Sequence, residues 1–299
     1  QSGCGLAKAS EHSPRRSPNG SKLAVSPPRS ERFTDAGGQS ASVTPDTRPA
    51  LATLAVEVAD LSRATLWYTD RLRLVPVERT PTETVFDVGG TRLVLRRPAS
   101  VPRGGLHVHY ALETPAREWP AWRARFPDAE TATFGDARSV YPFDPDGHCP
   151  EVAGFGDDGR GLTGVFEVVL EVASRADAER AYRELGFEPV DRSERRRRVR
   201  LRGPADATNP IDIELWEPQL GLADARGGVH VDLELRVADP LAAARRAFGD
   251  HPAVHPHERD GRVELYDPDG HHLVLSPSGG GSDETPPESG LDGDNTRWW

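Results

Sequence analysis

Lysine is all but missing from this sequence: of 37 strong bases only Lys8 and Lys22 are lysines, so from Thr53 to Pro277 arginine carries the strong positive charge. The 47 acids leave a net charge of −10, which argues against a nucleic-acid partner. An acidic, lysine-free body stays soluble in concentrated salt, where self-repulsion is screened and carboxylates hold water. A GC-rich coding bias would also favour arginine, so salt adaptation is one of two expectations. Cysteine is scarce too. Cys4 lies in a polar tail and Cys149 near a strand, so no disulfide framework is available and a reducing cytoplasm is the expected home. No run approaches the ~18 apolar residues that span a bilayer, and the start reads without the apolar core of a secretory signal, so no membrane partner is expected.

What is present is repetition. The stretch Tyr141–Phe155 reads YPFDPDGHCPEVAGF and is echoed at Val263–Pro277 by VELYDPDGHHLVLSP. Each is a strand, an Asp-Pro-Asp-Gly turn and a second strand, with proline presetting φ and glycine accepting the positive φ that other residues resist. Between an expected disordered tail at 1–48 and another at 278–299, four units follow one another. The first runs from strand Leu51–Ala59 through a helix capped by Asp60 to strands Val75–Arg79, Thr84–Val88 and Arg92–Arg96, in the order βαβββ. The second starts at Leu106–Glu113, has its helix near Ala116–Phe126 and ends in the first DPDG hairpin. The third starts at Val165–Val172, has its helix at Ala176–Leu185 and ends at Ile211–Glu217. The fourth starts at Val229–Val237, has its helix at Pro240–Phe248 and ends in the second DPDG hairpin. First strands recur every ~55 to 65 residues, the scale of one supersecondary unit.

One such unit cannot close a core, so two must pair edge to edge around a concave face. Alternation along each strand then divides core from cavity. The rows Leu54/Val56/Val58, Val108/Tyr110/Leu112, Val168/Leu170/Val172 and Val231/Leu233/Leu235 belong under the helices. The opposite rows include His107/His109, Glu167/Glu171 and Asp232/Glu234 on first strands, and Glu151, Asp212/Glu214/Trp216 and His272 on last strands. Polar residues gather on the cavity side.

The segments VEVADLSRATLWYTDRLRL at 56–74, AYRELGFEPV at 181–190, DPDGHCPEV at 144–152 and DPDGHHLVL at 267–275 resemble the vicinal oxygen chelate superfamily. That superfamily includes glyoxalase I, bleomycin- and fosfomycin-resistance proteins and extradiol ring-cleaving dioxygenases. The resemblance covers about three quarters of the chain and implies an α+β fold of four βαβββ modules forming two glyoxalase-like half-barrels, with modules one and two in 49–155 and three and four in 162–277. It implies metal ligands on the cavity rows of first and last strands, in slots that fall here on Thr53, His109, Glu167 and Asp232, and on Val94, Glu151, Glu214 and Val274. Units two and three fill both of their slots. If those two pair, His109, Glu151, Glu167 and Glu214 surround a divalent ion (Fe, Mn, Ni, Co or Zn); if one pairs with two and three with four, as is commoner, neither half holds a good transition-metal set. Both pairings remain open.

The resemblance further implies a small-molecule substrate with vicinal oxygens, handled by a metal-dependent lyase, isomerase or dioxygenase, with His107 as a candidate proton carrier; a metal-free binding protein is the alternative. A monomer or homodimer satisfies either reading. Each candidate also has a plainer reading. His109 and Glu151 make an ordinary hydrogen-bonded pair, Glu167 meets an arginine, and Arg195–Arg198 is a solvated strand face. The histidines near His251–Glu258 lie in a Pro-rich loop without helical spacing, and His148 and His271 belong to the turn.

Overall fold

The computed structural model describes residues 50–98, 108–203, 211–218, 231–249 and 251–278. The tails expected at both ends lie outside the described residues, Ser278 apart.

The first unit comprises β1 (Ala50–Glu57), α1 (Leu61–Arg71), β2 (Pro76–Arg79), β3 (Glu83–Val88) and β4 (Thr91–Arg96). Asp60 starts the helix as read, its carboxylate accepting from Arg63 N at 3.0 Å and satisfying a donor that the first turn leaves open. The second unit holds β5 (His109–Thr114), α2 (Trp119–Arg125), β6 (Glu130–Phe134), β7 (Ala137–Tyr141) and β8 (Cys149–Gly154). Here no side chain caps the helix, which is entered through a 3-10 turn at Ala116–Glu118. The third has β9 (Gly164–Glu171), α3 (Arg175–Glu184), β10 (Glu188–Ser193), β11 (Arg198–Arg202) and β12 (Asp212–Trp216). The fourth has β13 (Asp232–Val237), α4 (Pro240–Phe248), β14 (His257–Arg259), β15 (Arg262–Tyr266) and β16 (His272–Pro277). Ser174 and Asp239 cap α3 and α4 as Asp60 caps α1.

Of the two pairings left open by the sequence, the structure takes the nested one. One eight-stranded sheet runs β14-β15-β16-β13-β1-β4-β3-β2 and joins the first unit to the fourth; the other runs β10-β11-β12-β9-β5-β8-β7-β6 and joins the second to the third. At each centre two first strands meet antiparallel, β1 on β13 and β5 on β9. The apolar rows of both sheets and the helix faces merge in one buried cluster.

The DPDG turns do more than reverse the chain. Asp144 Oδ1 accepts from the backbone of Asp146 and His148, and Asp267 Oδ1 from that of Asp269 and His271, each at 2.9 or 3.0 Å. The next acid reaches sideways to the preceding unit: Asp146 accepts from Ala59 N at 3.2 Å and Asp269 from Ala173 N at 2.7 Å. His148 and His271 are buried and bond the carbonyls of Glu57 and Glu171 at 2.9 and 3.0 Å. Because His148 Nδ1 accepts from Val108 N, its Nε2 must carry the proton. Tyr68 in α1 and Tyr182 in α3 donate to Asp144 and Asp267, each at 3.1 Å, and Tyr68 also meets the hydroxyl of Tyr110 at 2.7 Å. The turns therefore tie unit two to one and unit four to three, across the division that the sheets make.

Candidate metal centre

The second sheet curls around a cavity of about 940 Å³. Register explains why acids converge at its floor. Ala111 on β5 lies beside Glu151 on β8 and, on the other side, beside Glu167 on β9, while Glu167 is itself flanked by Asp212 on β12. Neighbouring strands are about 4.8 Å apart, so two carboxylates flanking one alanine on a concave face lean toward the same point. His109 stands two residues before Ala111, on the same face.

The outcome is a compact group. His109 Nε2 lies 3.3 Å from Glu151 Oε2, and one ligand atom each from His109, Glu151 and Glu167 lie within 4.8 Å of one another. All three side chains are buried. Donors around one divalent ion of this size sit about 3 to 4.4 Å apart, so an imidazole and two carboxylates at these separations fit a divalent cation. The Glu167 carboxyl is pushed up to about 8, first by burial and then by the charge of Glu214, with Arg200 pulling the other way. Burial and the nearby Glu151 likewise hold the Tyr141 phenol well above its ordinary range.

Glu214 lines the same cavity but stands outside that trio. Its Oε2 accepts from Trp216 Nε1 at 2.7 Å and its Oε1 lies 3.0 Å from Arg198 Nη1, so both oxygens are engaged. His107 lies outside the described residues. His251, His255, His257 and Glu258 are exposed and form no metal-sized group. In the first sheet, the slots Thr53, Asp232, Val94 and Val274 face a different arrangement. Thr53 donates to Glu234 at 3.0 Å, Arg96 Nη2 lies 2.5 Å from Asp232 Oδ2, and His272 bridges Asp232 and Glu264 at 2.9 Å on each side.

The arginine run needs correcting. Arg195 and Arg197 are exposed as read, but Arg198 is buried and Arg196, Arg198, Arg200 and Arg202 all line the cavity. The signal was alternation: these four arginines interleave with Val199 and Leu201, which are fully buried on the opposite row. Arg198 pairs with Asp191 and Glu214, and Arg200 with Glu167 and Asp212. Arg196 lies over the Trp216 ring, 5.4 Å from its centroid, and Trp216 in turn is 6.2 Å from His109. Six carboxylates and four arginines line the cavity.

No family model matches the sequence and no curated protein matches it. Solved structures do match. A "putative dioxygenase" of Bacillus subtilis superposes with a TM-score of 0.59 at 16% identity over 80% of this chain and 87% of its own. Glyoxalase I of Zea mays superposes with a TM-score of 0.57 at 16% identity over 77% of this chain and 92% of its own. Identities this low speak to architecture, and with the unit order and two curled sheets described above they establish that the chain has an α+β glyoxalase-like fold.

Proposed function

We propose that this chain is a divalent-metal-dependent enzyme of the glyoxalase or dioxygenase type, acting on a small substrate with vicinal oxygens. The observation that carries the reading is the buried convergence of His109, Glu151 and Glu167 on the floor of a cavity large enough for a small molecule. The two structures compared above, one of a glyoxalase and one of a dioxygenase-type protein, support the reaction type. A bound divalent ion would supply Lewis-acid stabilisation of a developing negative charge on substrate oxygen. The chain's own part is to hold that charge in place: His109 and Glu151 orient one another, and Trp216 and Tyr141 wall the imidazole at 6.2 and 5.9 Å between ring centroids. A carboxylate of this trio is the group placed to take or return a proton at the substrate.

One observation favours a second reading, a metal-free binding protein: Arg200 Nη2 already lies 3.0 Å from Glu167 Oε2. Metal analysis after purification without chelators or affinity-column metal decides between them. The enzyme reading expects about one equivalent of a divalent transition metal in the wild type and loss of it in His109→Ala, with the fold retained. Less than about a tenth of an equivalent, with no uptake on adding Mn²⁺, Fe²⁺, Co²⁺, Ni²⁺ or Zn²⁺, would move the assignment to the binder.

A further inference from the structure

Arg200 occupies a position for which a solvated strand face has no use. Its Nη2 lies 3.0 Å from Glu167 Oε2, and its Nε lies 2.5 Å from Asp212 Oδ2. Asp212 has a second guanidinium of its own: Arg202 donates to its Oδ1 and Oδ2, both at 2.9 Å. The two contacts of Arg200 are therefore unequal. Asp212 anchors the side chain from the neighbouring strand, and the far edge of the guanidinium reaches across to the one carboxylate that joins His109 and Glu151 in the compact group.

We propose that Arg200 is the metal centre's resident counter-ion, an internal competitor that holds Glu167 until a divalent cation takes over that carboxylate, while Asp212 keeps the arginine in the cavity. The inference rests on the metal reading above. A guanidinium and a divalent ion compete for the same carboxylate, which is buried, so solvent screens the exchange less than it would at the surface. The doubly charged ion wins the exchange on charge density, whereas a monovalent ion gains nothing by it.

Five proteins test this by calorimetric titration with MnCl₂: wild type, Arg200→Met, Arg200→Lys, Glu167→Gln and the double variant of Arg200→Met with Glu167→Gln. Arg200→Met is expected to bind Mn²⁺ ~10-fold more tightly than the wild type, because the competitor is gone. In the Glu167→Gln background the same change should shift affinity by less than about twofold, since there is no carboxylate left to compete for. Unchanged or weaker binding in Arg200→Met overturns the proposal. So does a gain that persists in the Glu167→Gln background, which would be general repulsion between like charges. Arg200→Lys keeps the charge but is too short to hold both acids, and is expected to lie between wild type and Arg200→Met. Should the methionine variant not fold, equality of Arg200→Lys with wild type overturns the proposal by itself. Absence of Mn²⁺ uptake in every protein removes the metal reading and this inference with it, whereas uptake at equal affinity removes the inference alone.

Discussion

Replacing His271 with glutamine should change how stability follows pH, by an amount that burial at the second DPDG turn sets. His271 is fully buried, with Nε2 3.0 Å from the Glu171 carbonyl, and burial drives its pKa from 6.5 to about 4. An imidazole depressed in the native state stabilises fully above pH 6.5 and loses that stability as pH falls through 4. At about 1.36 kcal/mol per unit the loss amounts to about 3 kcal/mol. Asp267, four residues earlier, behaves in the opposite sense. Burial raises its carboxyl from 3.8 to about 6 against three backbone donors and Tyr182, so its contribution is full below pH 3.8 and is lost, again by about 3 kcal/mol, as pH rises through 6. In the wild type the two slopes nearly cancel across the same window. His271→Gln unmasks Asp267, so the variant should gain about 3 kcal/mol relative to wild type between pH 6.5 and pH 4; Asp267→Asn should lose about as much. Urea unfolding at half-unit pH steps, read as variant minus wild type so that Glu167 and other common groups drop out, measures both. A difference that stays flat from pH 4 to pH 6.5 in either variant would refute the burial argument.

Three further outcomes follow from the geometry. Glu151→Gln should weaken Mn²⁺ binding at least ~10-fold while Glu214→Gln changes it by less than ~3-fold, because Trp216 and Arg198 already engage Glu214; equal losses would place Glu214 among the ligands. Tyr68→Phe removes a buried hydroxyl shared by Tyr110 and Asp144 and should cost about 1 to 3 kcal/mol, with a melting temperature lower by several degrees; an unchanged melt would mean that neither bond contributes. Gly89 has φ of 61° and an added Cβ would lie 1.9 Å from Thr163 O, so Gly89→Ala should destabilise by well over the ~1 kcal/mol of the backbone conformation alone, and a melt within a degree of wild type would contradict that contact.

The turns were legible because their chemistry is local. A proline followed two residues later by glycine, between alternating strands, needs no tertiary context to be recognised, and the same holds for Asp60 as a helix cap. Which unit pairs with which was not legible in that way. The edges of β1 and β5 present the same backbone donors and acceptors, and nothing in the strand sequences states their partners. The completeness of the acid and imidazole set in units two and three was the feature that pointed to the nested pairing. The plainer reading of Glu167, that it meets an arginine, holds in the structure. The identity of that arginine was hidden because Arg195–Arg198 reads as a block of charge, whereas the physical unit is every second residue from Arg196 to Arg202. His148 and His271 were assigned to the turns, but their reach to another unit's carbonyl depends on how units stack, which no local pattern encodes.

Sheets couple the first unit to the fourth and the second to the third, whereas turns couple the first to the second and the third to the fourth. Sever such a molecule between residues 155 and 162 and each piece keeps its internal clasps but bares two raw strand edges, β1 and β5 in one piece, β9 and β13 in the other. As long as the clasps keep each piece in its present arrangement those edges stay unpaired, so the halves must find each other again or aggregate. His109 and Glu151 would travel with one fragment and Glu167 with the other, so recovery of metal uptake on mixing reports reassembly directly.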